Sequence, residues 1–166
     1  MKSNLLMNFS VDKEKKAINV EREFAAPVEN VWAAWTQREL LDQWWAPKPW
    51  KAKTKTQDFR EGGHWLYAMI GPDGSEHWSR ADYKTIVPLK SYSGKDGFCD
   101  ANGNVNTELP RSLWTVQFKP VGASTHVSIE VQYDTLEELE QIISMGFKEG
   151  FTAGLENLDL LLQSQH

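Results

Sequence analysis

Leu139, Ile142, Ile143, Phe147, Phe151, Leu155, Leu158 and Leu162 recur at helical spacing near the end of the chain. A stripe of that period marks the apolar face of an amphipathic helix. Thr135-Leu-Glu-Glu138 forms a capping box ahead of it, so the spacing predicts one helix running to about Leu162. At 1.5 Å per residue this helix is about 40 Å long, enough to cross a whole domain. Its apolar face needs a cover, and the segments before it are β in pattern. In the last of them Val127, Ile129, Val131 and Tyr133 alternate with His126, Ser128, Glu130 and Gln132. Half-buried strands followed by one long helix are satisfied by a curved antiparallel sheet that wraps the helix.

The rest of the chain fits that arrangement. Ile18, Val20 and Phe24 alternate with Asn19, Glu21 and Glu23, a half-buried strand with Arg22 on its apolar face. Arg22 is either paired there or an anchor for a ligand carboxylate. Pro27 opens a helix with Val28, Val31, Trp32 and Trp35 on one stripe. Thr36-Gln-Arg-Glu39 has the form of a second capping box, and Pro47 and Pro49 end the helix it would start. Strands are expected over Lys51 to Phe59, His64 to Ile70, Glu76 to Val87, Leu113 to Phe118 and His126 to Tyr133. Gly62-Gly63 and Gly71-Pro72-Asp73-Gly74 supply turns. Residues 93–106 are rich in Gly, Asn, Asp and Ser and are expected to form an exposed loop.

Gly146, Gly150 and Gly154 recur every four residues along the long helix. Each costs about 1 kcal/mol relative to alanine in a helix interior. Three on one stripe imply close approach of another element, helix to sheet in the simplest case, or room for a ligand. A membrane dimer stripe is excluded by Lys148, Glu149, Glu156 and Asp159.

At 166 residues the chain suits one domain, residues 1–166, with its core in 17–163. The net charge of −5 excludes a nonspecific nucleic-acid binder, which needs clustered cations. No apolar run approaches the ~20 residues of a membrane span, and Leu5-Leu6-Met7 is too short for the core of a leader peptide. Cys99 is the single cysteine, which rules out an intramolecular disulfide, suits a cytoplasmic location and reads as a passive thiol. Composition leaves monomer and homodimer open.

Five of the eight tryptophans fall in the segment from Trp32 to Trp50. Trp32 and Trp35 share the core stripe of the first helix. Trp44 and Trp45 are adjacent and point about 100° apart on a helix, so only one can face the core squarely. The other is left for a cavity mouth or the surface. Trp50 follows two prolines and is expected to begin the next strand.

The segments Arg22-Glu-Phe-Ala-Ala-Pro-Val-Glu-Asn-Val-Trp and Leu41-Asp-Gln-Trp-Trp-Ala-Pro carry a family resemblance. Asp58-Phe-Arg-Glu-Gly-Gly-His-Trp, Pro72-Asp-Gly, Tyr83-Lys-Thr-Ile-Val-Pro and the terminal Leu155-Glu-Asn-Leu-Asp-Leu-Leu-Leu follow in order. In these the chain resembles the START-like, or helix-grip, superfamily, in the branch named for the activator of heat-shock protein 90 ATPase. It departs from the pattern at Thr85, where the family often has an acid, and at Phe151-Thr-Ala-Gly-Leu. The resemblance implies an α+β helix-grip fold: a curved antiparallel sheet around a long C-terminal helix, with two short helices after the first strand.

The resemblance also implies a cavity between sheet and long helix for a small hydrophobic or aromatic molecule. With the excess of aromatic side chains, its expected lining comes from Trp44, Trp45, Trp65, Tyr67, Met69, Trp114, Met145 and Phe151. Arg22, His64 and Arg80 are candidate polar anchors. Relatives that act as cyclases imply a second possibility, a cyclase/dehydratase-like enzyme using the same cavity. Its acid or base would come from Asp58, His64, Tyr67, Arg80 or Asp82. Asp58 and Arg60 are the better fit to a structural pair. A chaperone-interacting module ranks third, because the co-chaperone's extra N-terminal domain finds no room in these residues. No nucleophile elbow, metalloprotease helix or phosphate loop is present, so no catalytic set is recognised and no cofactor is expected. His64 and His77 lie on neighbouring strands without a third ligand, so no metal is expected.

Overall fold

The computed structural model describes residues 7–164; Leu5 and Leu6 lie outside them. Eight strands form one antiparallel sheet: β1 Met7–Asp12, β2 Ala17–Phe24, β3 Lys51–Gln57, β4 His64–Ile70, β5 Glu76–Val87, β6 Ser91–Cys99, β7 Ser112–Val121 and β8 Ser124–Tyr133. Their order across the sheet is β1-β2-β8-β7-β6-β5-β4-β3. Between β2 and β3 stand α1 Val28–Thr36 and α2 Arg38–Trp44. After β8 come α3 Leu136–Ser144 and α4 Phe147–Gln163. This is the helix-grip α+β fold.

The alternation along β2 and β8 positions the core. Val20 pairs with Ile129 and Ile18 with Val131. All four are buried, as are Leu155, Leu158 and Leu162 of α4, which belong to the same apolar cluster. Val31 and Trp35 of α1 are buried beside them, and Trp32 packs edge-on against Phe118 at 5.1 Å.

Four expectations are corrected. First, the terminal helix is two helices. Gly146 has φ +92°, a left-handed conformation that closes α3 and caps α4. Its N–H donates to Ile143 O at 3.1 Å, and its own carbonyl accepts from the Gly150 N–H at 3.0 Å. Only glycine adopts that φ without strain, so Gly146 is a joint rather than part of a packing stripe. A Cβ there would meet nothing closer than 4.0 Å. Gly146→Ala is therefore expected to cost about 1 kcal/mol through torsion alone, read as a lower denaturant midpoint. An unchanged midpoint would show that the joint tolerates an ordinary residue.

Second, residues 93–99 of the expected loop belong to β6, a central strand paired on both sides. Its glycines answer to crowding: a Cβ on Gly94 would lie 3.0 Å from Asp82 O, and one on Gly97 2.8 Å from Arg111 Nε. Only the part after Cys99 is a loop, where Asp100 Oδ1 accepts from the N–H groups of Asn102 and Asn104. Third, the first capping box does not form. Thr36 Oγ1 donates back to Trp32 O at 2.8 Å, and Gln37 stands at the N-cap of α2 without a side-chain cap bond. At Thr135 the N-cap does form, its Oγ1 accepting from the Glu138 N–H at 3.1 Å. Fourth, β1 is an additional edge strand, paired with β2 from Met7↔Arg22 to Asp12↔Ala17.

Candidate functional site

The tryptophan pair at the end of α2 divides between core and cavity. Trp44 is 1% exposed and its indole N–H donates to Ala34 O at 2.8 Å. Its ring packs edge-on against Trp35 at 4.8 Å. Trp45 turns the other way, and its N–H donates to the Tyr67 hydroxyl at 3.0 Å. Asn157 of α4 closes this helix end by donating to Ala46 O at 3.0 Å.

Beside Trp45 lies a hollow of about 300 Å³ between the sheet and the α3–α4 joint. Tyr67 and Met69 of β4, Ser79 of β5, Asp96 and Phe98 of β6 and Trp114 of β7 form its sheet side. Ile142, Met145, Phe147, Gly150 and Phe151 form its helix side. The rings engage one another: Trp114 stands 5.8 Å from Trp45 in a tilted contact and 5.5 Å from Phe151 edge to face. Met145, 55% exposed, is at the open side.

The two remaining members of the glycine stripe have different duties. A Cβ on Gly154 would lie 3.2 Å from Trp45 O, so Gly154 permits close contact with the end of α2 rather than with the sheet. A Cβ on Gly150 would meet only Pro47 Cγ at 3.9 Å, and Gly150 lines the hollow. The missing side chain there leaves open space.

A smaller void of about 30 Å³ runs inward past Trp35, Trp65, Tyr83 and Tyr92. Trp65 stacks on Tyr67 at 4.0 Å and donates its N–H to Thr54 Oγ1 at 2.9 Å. The indole N–H of Trp35 is buried without a hydrogen-bond partner. A side pocket of about 80 Å³ reaches Ser112 and Tyr133. Asp96 and Trp114 line all three spaces.

Asp96 is the acid of the site, and it lay hidden in the segment expected to be a loop. It accepts a short hydrogen bond from the Ser112 hydroxyl, which in turn accepts from the Trp114 N–H at 3.1 Å. Burial pushes its carboxyl up to about 6, against the opposing pull of Ser112, Trp114 and the more distant Arg111. The Tyr67 hydroxyl is raised from its ordinary range by burial and by the field of Asp96. One inward alternation, Tyr92-x-Gly94-x-Asp96-x-Phe98, was the available signal for this strand.

The three candidate polar anchors lie elsewhere. Arg22 pairs with Asp159 of α4 at 3.6 Å and sits 5.5 Å over the Phe24 ring. Arg80 pairs with Asp82 at 2.6 Å and donates to Gly103 O at 2.9 Å. His64 Nε2 is 3.0 Å from Thr56 Oγ1, at the end of β4 remote from the Met69↔His77 pair. His64 and His77 therefore do not approach each other, and no group of three His, Cys, Asp or Glu among the described residues could hold a metal ion. Asp58 and Arg60 pair with each other at 2.6 Å, both exposed. Trp44 faces the core and lines none of these spaces.

A larger hollow of about 460 Å³ lies on the outer face of the sheet. Asn8, Glu21, Gln117 and Glu130 line it, ordinary polar groups of a solvated sheet face. No helix of the described residues is long and apolar enough to cross a membrane.

Solved structures share this architecture. A protein from Arthrobacter aurescens is 30% identical and superposes with a TM-score of 0.90, covering 95% of this chain and 91% of that one. Protein Ms6760 from Mycobacterium smegmatis is 30% identical with a TM-score of 0.88, covering 98% and 99%. A protein from Staphylococcus epidermidis is 27% identical with a TM-score of 0.82, covering 95% of each chain. No curated protein matches the sequence. Residues 25–163, which run from the end of β2 through both helices that bound the hollow, match the profile described as Activator of Hsp90 ATPase homolog 1-like protein. The chain belongs to that family.

Proposed function

We propose that the protein binds a small, largely apolar molecule in the hollow between the sheet and the α3–α4 joint. The observation that carries this is an unfilled space of about 300 Å³ ringed by Trp45, Trp114, Phe147 and Phe151. Its size is at the lower end for ligand sites, and mostly apolar walls with a few placed polar groups are what such sites have. The space fits a molecule of one or two aromatic rings.

Gly150→Leu tests this. A leucine there projects into the hollow and also suits a helix better than glycine by up to about 1 kcal/mol. The variant is expected to fold at least as stably as the wild type and to bind a neutral naphthyl alcohol at least about tenfold more weakly, by tryptophan-fluorescence titration. Equal affinity in the two proteins would place the ligand elsewhere.

A second reading, a cyclase/dehydratase-like enzyme, is favoured by Asp96. A carboxyl with its pKa raised to about 6 beside open space is suited to give and take a proton near neutral pH. Turnover of a candidate substrate that disappears in Asp96→Asn, with affinity retained, would separate catalysis from binding. Cys99 is a free thiol, half-buried and raised from its ordinary range by burial, which suits the proposed cytoplasmic setting.

A further inference from the structure

We infer that the ligand of this hollow carries a protonated amine, which docks on Asp96 while its apolar body lies among the aromatic rings. The inference rests on the binding role proposed for the hollow and adds the chemical class of the ligand.

The charges around the hollow point one way. Asp96 is the one carboxylate among its lining residues, and neither Lys nor Arg lines it. None of the ion pairs among the described residues includes Asp96. The nearby arginines are engaged on the other side of the sheet. Arg111 crosses Gly97 there and donates to Asp82 Oδ2 at 3.1 Å, and Arg80 holds the other oxygen of the same carboxylate. The side-chain donor to Asp96 is neutral, the Ser112 hydroxyl, which itself accepts from the Trp114 indole. A half-buried carboxylate held by neutral donors has an unmet preference for a cation.

The walls have the same preference. Trp45, Trp114, Phe147 and Phe151 line the same space, and the face of an aromatic ring attracts a cation. The Tyr67 hydroxyl already receives the Trp45 N–H, so it is placed to accept no more than one further donor. An amine supplies what the site lacks: N–H donors and positive charge. A fatty acid or other carboxylate would bring a second negative charge beside Asp96 with no cation to receive it.

Acidification gives a second handle. The titratable groups that face Asp96 are Tyr67 of β4, His77 of β5 and Tyr133 of β8, with Arg111, just ahead of β7, beyond the strand. The helices present Ile142 and Phe147. Loss of the Asp96 charge removes the attraction for an ammonium as pH falls through about 6. His77 of β5 also lines the hollow.

The test uses three naphthyl compounds of matched shape, an aminomethyl, a hydroxymethyl and a carboxylate form, titrated calorimetrically at pH 8 and pH 5. The wild type is expected to bind the ammonium about tenfold or more tighter than the alcohol at pH 8 and the carboxylate most weakly. That order is expected to collapse in Asp96→Asn, and in the wild type at pH 5 without any substitution. An ammonium bound no better than the alcohol, or a preference that survives in Asp96→Asn and at pH 5, overturns the amine inference and leaves the binding role intact. Absence of binding by all three compounds overturns both.

Discussion

Trp44→Ala is expected to lower the unfolding free energy by about 3 to 5 kcal/mol. The indole is almost wholly buried, contacts Trp35 and Trp45, and satisfies Ala34 O. Its removal leaves a large void where α1, α2 and α4 meet and leaves one carbonyl short of a donor. Domains of this size are stable by only about 5 to 15 kcal/mol, so the loss is a large share of the total. In a thermal scan it amounts to a fall of about 10 °C. Trp44→Phe keeps most of the packing and should lose less. A loss below about 1 kcal/mol in the alanine variant would show that the α2 end does not anchor the fold. Ligand affinity per folded molecule should change little in Trp44→Phe, because the ring faces away from the hollow.

Asp96→Asn is expected to act in the opposite direction, making the protein more stable at neutral pH. The folded protein holds the carboxyl up at about 6 against an ordinary 3.8. A raised carboxyl favours folding only while protonated, so its relative stability is fully present below about pH 4. That stability is lost as pH rises towards the folded value near 6. Asparagine keeps an acceptor for the Ser112 hydroxyl and carries no charge. The variant should therefore gain on the order of 2 to 3 kcal/mol over the wild type at pH 8, with the gain vanishing towards pH 4. Asp73 and Asp100, held low by hydrogen bonds within their turns, work the other way and lose their contribution as pH falls. They are common to both proteins and cancel in the difference. Denaturant midpoints of the pair at several pH values measure it. An equal midpoint at pH 8 would mean that the carboxylate is comfortably solvated. A gain would identify a group retained at a cost in stability, as binding and catalytic groups commonly are.

The sequence was legible where one periodicity ran without interruption. The alternation of β8 and the apolar stripe of α4 define the two surfaces that pack, and both depend on side chains alone. The cleft lining was legible as far as it consists of large apolar residues: Trp45, Tyr67, Met69, Trp114, Met145 and Phe151 all border the hollow. Asp96 was not, because Gly94 and Gly97 beside it resemble turn residues. Their absent side chains make room for Asp82 and Arg111 instead, contacts between residues distant in sequence. Gly146 shares a spacing of four with Gly150 and Gly154, and spacing carries no information about the sign of φ. Thr36 fits the capping pattern, yet its hydroxyl is taken up by the preceding helix through Trp32 O. The polar anchors were misplaced for a related reason. Arg22 satisfies a carboxylate that reaches it from another element, Asp159 on α4, and Arg80 pairs with Asp82 two residues along its own strand, β5.

The most direct test of the binding role is a calorimetric titration of the wild type and Gly150→Leu with the neutral naphthyl alcohol, with thermal unfolding of both recorded in parallel. The expected result is saturable one-site binding by the wild type, weakened at least about tenfold in a variant that unfolds at the same or a higher temperature. Absence of binding by the wild type, or equal binding by the two proteins, would contradict a ligand site between the sheet and the α3–α4 joint.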